Sequence, residues 1–203
     1  MNRQTNRKTA ARVGTTVLTA ALIFLFLLFI TLPLISLFTR ISPADMLTAL
    51  TSPSALQALA LSVGTALVST VIVILFGTPL AYINARVRYP GRNIVDTLTD
   101  LPIVLPPTVA GLALLTAFGA NGMLGQYFSL FGIKIAFTTA AVVIAQIFVA
   151  SPFYIRQARA SFEAVDAEYE YASRTLGAGV VTTFFRVTLP LASGSLMSGI
   201  IMT

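Results

Sequence analysis

Long apolar stretches alternate with short charged segments along this 203-residue chain. Four stretches carry no Asp, Glu, Lys or Arg, at residues 13–39, 46–85, 101–133 and 135–155. A helix needs about 20 apolar residues to cross the hydrocarbon core of a membrane, and each stretch is long enough to supply one. The pattern predicts an all-α, polytopic membrane protein with about five spanning helices. These spans are expected at about residues 15–38, 57–83, 99–119, 138–157 and from 190 onward.

The first and last apolar stretches indicate how the domain is organised. The first is longer than the apolar core of a signal peptide, about 7–15 residues, so it is predicted to be an uncleaved anchor. The last follows Arg186 and reaches Thr203 without a basic flank, which is short for a span. We therefore expect one membrane domain over residues 1–203 that is truncated at its C-terminus. Residues 1–54 would hold the N-terminal tail, first span and external loop, and residues 55–203 an incomplete core.

The distribution of charge predicts the orientation. Only 10% of residues are charged and the net charge is +6, whereas about a quarter of residues are charged in soluble domains. If the spans alternate in direction, 11 of the 13 Lys and Arg residues fall on one side, and only Arg40 and Lys134 fall on the other. Because cytoplasmic loops are rich in Lys and Arg, the N-terminus and the segment 158–190 are predicted to be cytoplasmic. The basic residues form no face interleaved with aromatic residues, so they do not indicate nucleic-acid binding.

The residue types that are missing exclude several chemistries. The chain has no His and no Cys, which removes imidazole and thiolate metal sites, disulfides and His acid–base catalysis. Neither lysine follows the glycines of a phosphate-binding loop, so any ATP must bind a partner. No Asp or Glu lies well inside an apolar stretch, and Asp96 and Asp100 lie at a boundary. The chain is therefore expected to hold no catalytic residue, metal or cofactor.

Two features inside the apolar stretches are candidates for a translocation path. Pro102, Pro106 and Pro107 predict a kink or an irregular start in the third span, because proline removes a backbone donor and clashes with the preceding turn. Irregular backbone is tolerated in a membrane where it is buried in protein or lines a cavity, so these prolines indicate either a pathway wall or a simple kink. Gln146 lies in the middle of the fourth span and is expected either to bond another helix or to face the path.

A polar interruption before the fifth span predicts two short helices around a glycine turn. Asp166 is the expected N-cap of the first helix, and acidic residues follow in its first turn, where the helix dipole favours anions. Gly177 fits the left-handed position that ends a helix. A second short helix, VVTTFFRVTL, then leads to Pro190 and the fifth span.

The first short helix is predicted to be amphipathic. One face carries Glu170, Ser173 and Arg174 and is expected to turn toward a cytoplasmic partner. The apolar stripe on the other face is expected to pack on the helical bundle. It consists of Val165, Tyr169, Ala172 and Leu176. An amphipathic helix of this kind also suits a lipid surface, and from the pattern alone both interpretations stay open.

The spacing of this segment resembles that of ABC importer permeases. Their cytoplasmic loop has the pattern Glu-Ala-Ala, three residues, Gly, nine residues, Ile-x-Leu-Pro. Nine residues separate Gly177 from residues 187–190, Val-Thr-Leu-Pro, so the spacing is the same and Val replaces Ile. Residues 171–173, Tyr-Ala-Ser, occupy the first triplet, and the acid lies one position earlier, at Glu170.

The resemblance runs from about residue 55 to the end and is strongest to the permease subunits of molybdate importers. It rests on LPIVLPPTVAGLALLTAFGANGMLG, on AVVIAQIFVASPFYIRQARASFEAVDAE and on RTLGA with TFFRVTLPL. It implies the helical-bundle fold of small-molecule ABC importers, a place in a bacterial inner membrane, and transport of molybdate or tungstate. Sulfate or thiosulfate transport is the alternative within the family. Outside it, a membrane enzyme, an assembly scaffold and an ion-driven transporter remain alternatives.

The resemblance also implies partners and site residues. In this family two permeases form a dimer on two cytoplasmic ATPase subunits that bind Mg-ATP, and a periplasmic or lipid-anchored binding protein delivers the oxyanion. The segment 158–190 would contain a coupling helix that docks on the ATPase. The residues expected to dock are Glu170, Tyr171, Ala172, Arg174, Gly177, Arg186, Leu189 and Pro190. The residues expected to line the path are Pro106, Pro107, Thr108, Gly111 and Gln146.

Overall fold

The computed structural model describes residues 2–39 and 42–201, which form helices joined by turns, with no β-strand in these ranges. The helices in chain order are α1 (Asn2–Thr39), α2 (Pro43–Leu50), α3 (Pro53–Arg86), α4 (Arg92–Val104), α5 (Pro107–Phe118), α6 (Gly125–Leu130), α7 (Thr139–Ala164), α8 (Ala167–Thr175), α9 (Val180–Thr183) and α10 (Leu189–Ile201). A π-helical turn, Phe184–Thr188, joins α9 to α10. The chain divides into two compact units, Met1–Ala58 and Leu59–Thr203.

Several of these helices can cross a membrane. Four in the described ranges are long and apolar enough, and a fifth span results if the bent pair α4 and α5 is counted as one. The four are Thr16–Ser36, Pro53–Arg86, Thr139–Ala164 and Val180–Ile201. The predicted all-α polytopic architecture is therefore confirmed, although α3 and α7 extend several residues beyond the predicted spans.

The first unit contains the most apolar span. No residue of Thr16–Ser36 is buried within the chain, as expected of a helix whose natural solvent is lipid. After it, the Ser42 side chain accepts a hydrogen bond from Ala44 N at 3.3 Å and caps α2, with Pro43 in the first turn. Proline is well placed there because the first helical N–H groups have no partner inside the helix.

The core of the second unit lies where α3, α7 and α10 meet. The buried face of α3 repeats every four residues, through Thr65, Ser69, Val73, Gly77, Ala81 and then Asn84. Gly77 allows close approach, since a Cβ there would lie 2.9 Å from the Tyr154 ring. The Tyr154 hydroxyl is hydrogen-bonded to Thr78 Oγ1 at 2.6 Å. Buried polar groups inside a membrane protein need such partners, and this bond joins α3 to α7.

The third predicted span is not one continuous helix. α4 begins at Arg92, and α4 and α5 meet at an angle of 115° across a short break. Leu105 and Pro106 in the break have extended backbones, because proline disfavours the helical region in the residue before it and cannot donate to the preceding turn. The prediction of a kink near these prolines is confirmed, and the helical segment begins at Arg92, earlier than the predicted start near residue 99.

The bent pair passes from one end of α7 to the other. Near the C-terminal end of α7, Asp100 of α4 accepts two hydrogen bonds from Arg156, each 2.8 Å long. Near the N-terminal end of α7, the last turns of α5 face Ala141 and Ala145 across a cavity. These contacts favour a broken span over a loop that returns to the side it came from.

The fifth span begins earlier than predicted. α9, the π turn and α10 form one unbroken helical run, Val180–Ile201, with Pro190 inside it. The Leu189 N–H donates to Phe184 O, five residues back, which widens the turn just before Pro190. Proline lacks an N–H and its ring crowds the preceding turn, so a widened turn accommodates it. Pro190 therefore does not start a new helix, contrary to the expectation that the span begins there.

Candidate functional site

The short helix α8 has the local structure that its sequence predicts. The Asp166 carboxylate accepts a hydrogen bond from Glu168 N at 3.0 Å and caps the N-terminus. At the other end, Gly177 adopts φ +88°, a left-handed conformation that glycine adopts without steric cost. Ala178 N donates to Ser173 O at 3.1 Å, the bond that closes a Schellman turn. Both predicted boundaries of α8 are confirmed.

Glu170 on α8 is buried and fully bonded within the chain. Its side-chain Oε1 lies 2.9 Å from Arg86 Nε, in an ion pair with the last residue of α3. The same oxygen accepts a hydrogen bond from Thr188 Oγ1 at 3.0 Å, and Oε2 accepts one from the Tyr82 hydroxyl at 3.4 Å. We call these four residues, Glu170, Arg86, Thr188 and Tyr82, the Glu170 anchor.

The Glu170 anchor ties α8 to three other elements. Arg86 and Tyr82 belong to α3, and Thr188 belongs to the π turn that continues into α10. Arg86 Nη2 also donates to Val165 O at 2.7 Å, at the C-terminal cap of α7. These bonds hold α8 to α3 and to the turn that continues into α10, and Arg86 also holds the C-terminal cap of α7.

Aromatic rings pack beside the anchor. The Tyr82 ring contacts Phe162 edge-on, with centroids 5.5 Å apart, and Phe184, with centroids 4.8 Å apart. Ser173 and Thr183 join α8 to α9 by a hydrogen bond of 3.1 Å. The rings exclude water from one side of the ion pair and strengthen its electrostatic interaction.

The predicted orientation of α8 is wrong for Glu170 and for the apolar side chains of the helix, although Arg174 is exposed as predicted. The polar face was expected to turn outward, but Glu170 is only 5% exposed, whereas Tyr169 is 58% exposed and Leu176 is 89% exposed. The cause is Arg86, whose charge lies at the end of α3 against the bundle and needs a carboxylate. An unpaired buried charge costs far more than the exposure of one apolar side chain. Of the predicted stripe, Val165 alone is buried.

The other residues predicted to dock lie at the surface, with one partial exception. Glu170 is buried and Leu189 is half-buried. The exposed ones are Tyr171, Ala172, Arg174, Gly177, Arg186 and Pro190. Large apolar side chains that the prediction did not include extend this surface. They are Tyr169, Leu176, Val180 and Val181.

A second polar cluster joins α3 and α4 to α7. Asp96 accepts a hydrogen bond from Asn84 Nδ2 at 2.9 Å and forms an ion pair with Arg159 at 3.0 Å. Arg159 also pairs with Glu163 at 2.9 Å, one helical turn away. Asp96 and Asp100 both have basic partners on α7, so both carboxylates hold α4 against that helix.

The residues predicted to line a path are spread over several places. Pro106 and Pro107 form the break between α4 and α5, and Thr108 is exposed in the next turn. Gly111 lines an apolar cavity of about 630 Å³ between α5, α7 and the start of α3. Gln146 is not in that cavity; its Nε2 donates to Thr65 Oγ1 at 3.2 Å, and its buried Oε1 has no partner among the residues described. The structure does not join these five residues into one channel.

Sequence reasoning missed three of the four members of the Glu170 anchor. A signal for Arg86 was present, because it is the first charge after the apolar stretch 46–85 and the chain has only 7 acidic residues for 13 basic ones. Thr188 and Tyr82 carried no such signal. Residues with a hydroxyl group are common at the ends of spanning helices. Whether Thr188 and Tyr82 contact Glu170 depends on how α8 folds back against the bundle.

Comparison of the sequence with known proteins finds similarity to transport proteins. A family model described as "Binding-protein-dependent transport system inner membrane component" matches residues 74–203, which include the whole segment from Arg86 to Pro190. The molybdenum transport system permease protein ModB of Mycobacterium tuberculosis is 42% identical over 176 residues, which cover 87% of this chain and 67% of the relative.

Two further relatives show the range of the family. The molybdate/tungstate transport system permease protein WtpB of Pyrococcus abyssi is 37% identical over 185 residues, covering 90% of this chain and 69% of the relative. The sulfate transport system permease protein CysT of Salmonella typhimurium is 35% identical over 194 residues, covering 94% and 68%. The chain therefore spans about two thirds of the length of these relatives. It belongs to the family of inner-membrane permease components of binding-protein-dependent ABC transport systems.

Proposed function

We propose that this chain is the membrane-spanning subunit of an ATP-driven oxyanion importer whose cargo is molybdate or tungstate. The observation that carries the proposal is the geometry of α8, which is held to three membrane helices by the Glu170 anchor while its apolar side chains face outward. Relatives named for molybdenum and for molybdate or tungstate support the cargo.

The outward side chains of α8 and α9 form the surface proposed to dock a cytoplasmic ATPase. We define this docking surface as Tyr169, Tyr171, Leu176, Val180 and Val181, each more than half exposed. Tyrosine and arginine side chains that fill a partner's pocket are often the energetic centre of an interface, with apolar side chains packed around them. Arg174 and Arg186 are exposed beside it and suit an acidic rim on the partner.

The cytoplasmic ATPase is proposed to supply the energy for transport. Two ATPase subunits bind Mg-ATP and hydrolyse it, two copies of the permease form the membrane part, and a periplasmic or lipid-anchored binding protein delivers the oxyanion. Closure of the ATPase pair on ATP moves the docked α8, and the Glu170 anchor passes that movement to α3, α7 and α10. ATP favours one of two states because it binds that state more tightly.

The membrane-spanning helices are proposed to let the oxyanion pass without binding it tightly. The apolar stretches carry no fixed charge at mid-span, where a cation would hold a dianion too strongly for release. Selection between oxyanions then belongs to the binding protein. Sulfate is the second candidate, because the sulfate permease relative is 35% identical over most of this chain.

The orientation follows from the basic residues. Arg86, Arg174 and Arg186 lie at the α8 end of the bundle, and this end is proposed to be cytoplasmic, together with the N-terminus. The protein would then lie in a bacterial inner membrane with α8 turned toward the ATPase.

The proposal is tested by co-purification and uptake in the assembled transporter. Leu176→Asp places a charge in the docking surface and is expected to lower co-purification of the ATPase at least about tenfold, since an apolar anchor in an interface is worth about 2 kcal/mol or more. Val87→Asp, an exposed apolar position at the same end but outside α8 and α9, is the matched control. Uptake of labelled molybdate by the unaltered protein should be competed by tungstate and not by sulfate.

Two outcomes would contradict the proposal in different ways. Equal ATPase recovery with Leu176→Asp and Val87→Asp would show that docking occurs elsewhere. Competition by sulfate alone would leave the docking surface intact and replace the cargo with sulfate.

A further inference from the structure

The connection between α5 and α7, residues 119–138, exposes an unusual amount of apolar surface. It contains the short helix α6 and two turns. Four large apolar side chains are almost fully exposed: Met123 by 77%, Leu130 and Phe131 by 81% each, and Phe137 by 95%. In water, so many uncovered apolar groups within one short connection would be strongly unfavourable.

This connection joins the ends of two helices of the bundle. It follows the C-terminus of α5 and precedes the N-terminus of α7, so it is at the end of α7 opposite to α8. Ile135, Phe137 and Thr138 line the same cavity as Phe118 of α5 and Ala141 of α7, which places the turn directly over the ends of these helices. The exposed apolar side chains of the connection therefore follow directly on exposed apolar side chains of α5 and α7, among them Leu112 and Val142, the second of which also lines the cavity.

Phe137 combines the highest exposure of these side chains with an unusual backbone. Phe137 has φ +61°, the one positive φ among non-glycine residues in the described ranges. This conformation is unfavourable for a residue with a Cβ, and such strain persists only when something else in the structure compensates. The turn is closed within the chain by Thr138, whose Oγ1 donates to Ile135 O at 2.6 Å, and the Phe137 side chain is left 95% exposed.

The charges of the connection suit a phospholipid surface. Lys134 is its single charged residue, and there is no Asp or Glu from 101 to 162. Lys134 is exposed between Phe131 and Phe137. An element with apolar and aromatic side chains on one side and a lysine that reaches the headgroup phosphates is typical of segments that lie in the membrane interface.

We infer that residues 119–138 form an interfacial anchor, with Leu130, Phe131 and Phe137 inserted among phospholipid acyl chains and Lys134 at the phosphates. The anchor holds the α5–α7 connection at a fixed depth, opposite to the end that carries α8. This inference does not depend on the cargo or on the ATPase.

Tryptophan fluorescence tests the inference directly, because the chain contains no tryptophan. Phe137→Trp and Phe131→Trp are made separately in the full chain, and each is reconstituted into vesicles of phosphatidylcholine with or without bromine on the acyl chains. Phe29→Trp, in the middle of the exposed span of α1, is the lipid-facing control, and Phe162→Trp, at a position that is 0% exposed, is the buried control.

Quenching by brominated lipid and by aqueous iodide distinguishes side chains in lipid from side chains in water or buried in protein. Brominated lipid should quench the fluorescence of Phe137→Trp and of Phe131→Trp by about half or more, near the value for Phe29→Trp, and aqueous iodide should leave both largely unquenched. Quenching by iodide would place the connection in water and overturn the inference. Protection from both quenchers, as in the buried control, would show that a second copy or another protein covers it, and this too would overturn the inference.

Discussion

Removal of the charge of Glu170 without a change in its size is the sharpest test of how α8 is held. In Glu170→Gln an amide replaces a carboxylate whose Oε1 is 2.9 Å from Arg86 Nε and whose side chain is 7% exposed. The Arg86 side chain is 16% exposed, so water compensates little for the lost partner. Loss of one member of a buried ion pair costs about 3–5 kcal/mol. Arg86 keeps its bond to Val165 O, so we expect the lower end of that range, about 3 kcal/mol.

The measurement is the free energy of unfolding of the purified chain in detergent, from denaturant titration. Glu168→Gln is the matched control, because it removes the same charge from the same helix at a position that forms no ion pair in the described ranges. Its cost should be below about 0.5 kcal/mol. A double-mutant cycle with Glu170→Leu and Arg86→Met isolates the pair. The double variant should cost at least about 1 kcal/mol less than the sum of the single variants, since neither charge is left unpaired.

Two results would refute the reasoning. If Glu170→Gln cost no more than Glu168→Gln, the Glu170 carboxylate would have to be in water and not against Arg86. If the costs of Glu170→Leu and Arg86→Met were additive, the two side chains would not interact. Either result would also remove the proposed route from α8 to α3.

The remaining predictions concern glycines that the structure places under different constraints. Gly177→Val should lower oxyanion uptake while ATP hydrolysis continues, because φ +88° is unfavourable for a β-branched residue by about 1–2 kcal/mol and the end of α8 would be displaced. Gly179→Val is the control and should leave uptake unchanged, since Gly179 has a negative φ and open space around it. Equal uptake in the two variants would contradict this prediction. Gly77→Val should destabilise the chain by about 1–3 kcal/mol, because its Cβ would lie 2.9 Å from the Tyr154 ring. Thermal unfolding checks this against Gly64→Val, on the same helix with nothing within 4 Å, and a similar melting temperature for the two would show that α3 and α7 are not in close contact there.

The local features of this protein could be predicted from the sequence because their causes lie close together in the chain. Spans follow from runs of apolar residues, and the boundaries of α8 follow from Asp166 and Gly177, each of which acts within a few residues. The break near Pro106 could be predicted for the same reason, because proline acts on the residue and the turn directly before it. Membership of the family could also be recognised, since the spacing from Gly177 to Pro190 is a property of the chain alone.

The tertiary structure decided which face of α8 is buried. An amphipathic pattern identifies two faces, but the choice between them depends on Arg86, which is 84 positions before Glu170 in the chain. Pairing of these two charges outweighs the burial of Tyr169 and Leu176, so the side chains that were predicted to face the core form the outer surface. A pattern within one helix holds no information about a charge contributed by another.

The sequence by itself therefore determined the membrane class, the approximate spans and the boundaries of α8, because each depends on hydropathy or backbone preference over short distances. Only the tertiary structure decided the 115° bend between α4 and α5, the unbroken run through Pro190, and the inward direction of Glu170. The bend and the direction of Glu170 depend on packing and ion pairing between α3, α4, α7 and α8, which folding brings together. The run through Pro190 depends on the hydrogen bond from Leu189 N–H to Phe184 O, which no pattern of apolar residues predicts.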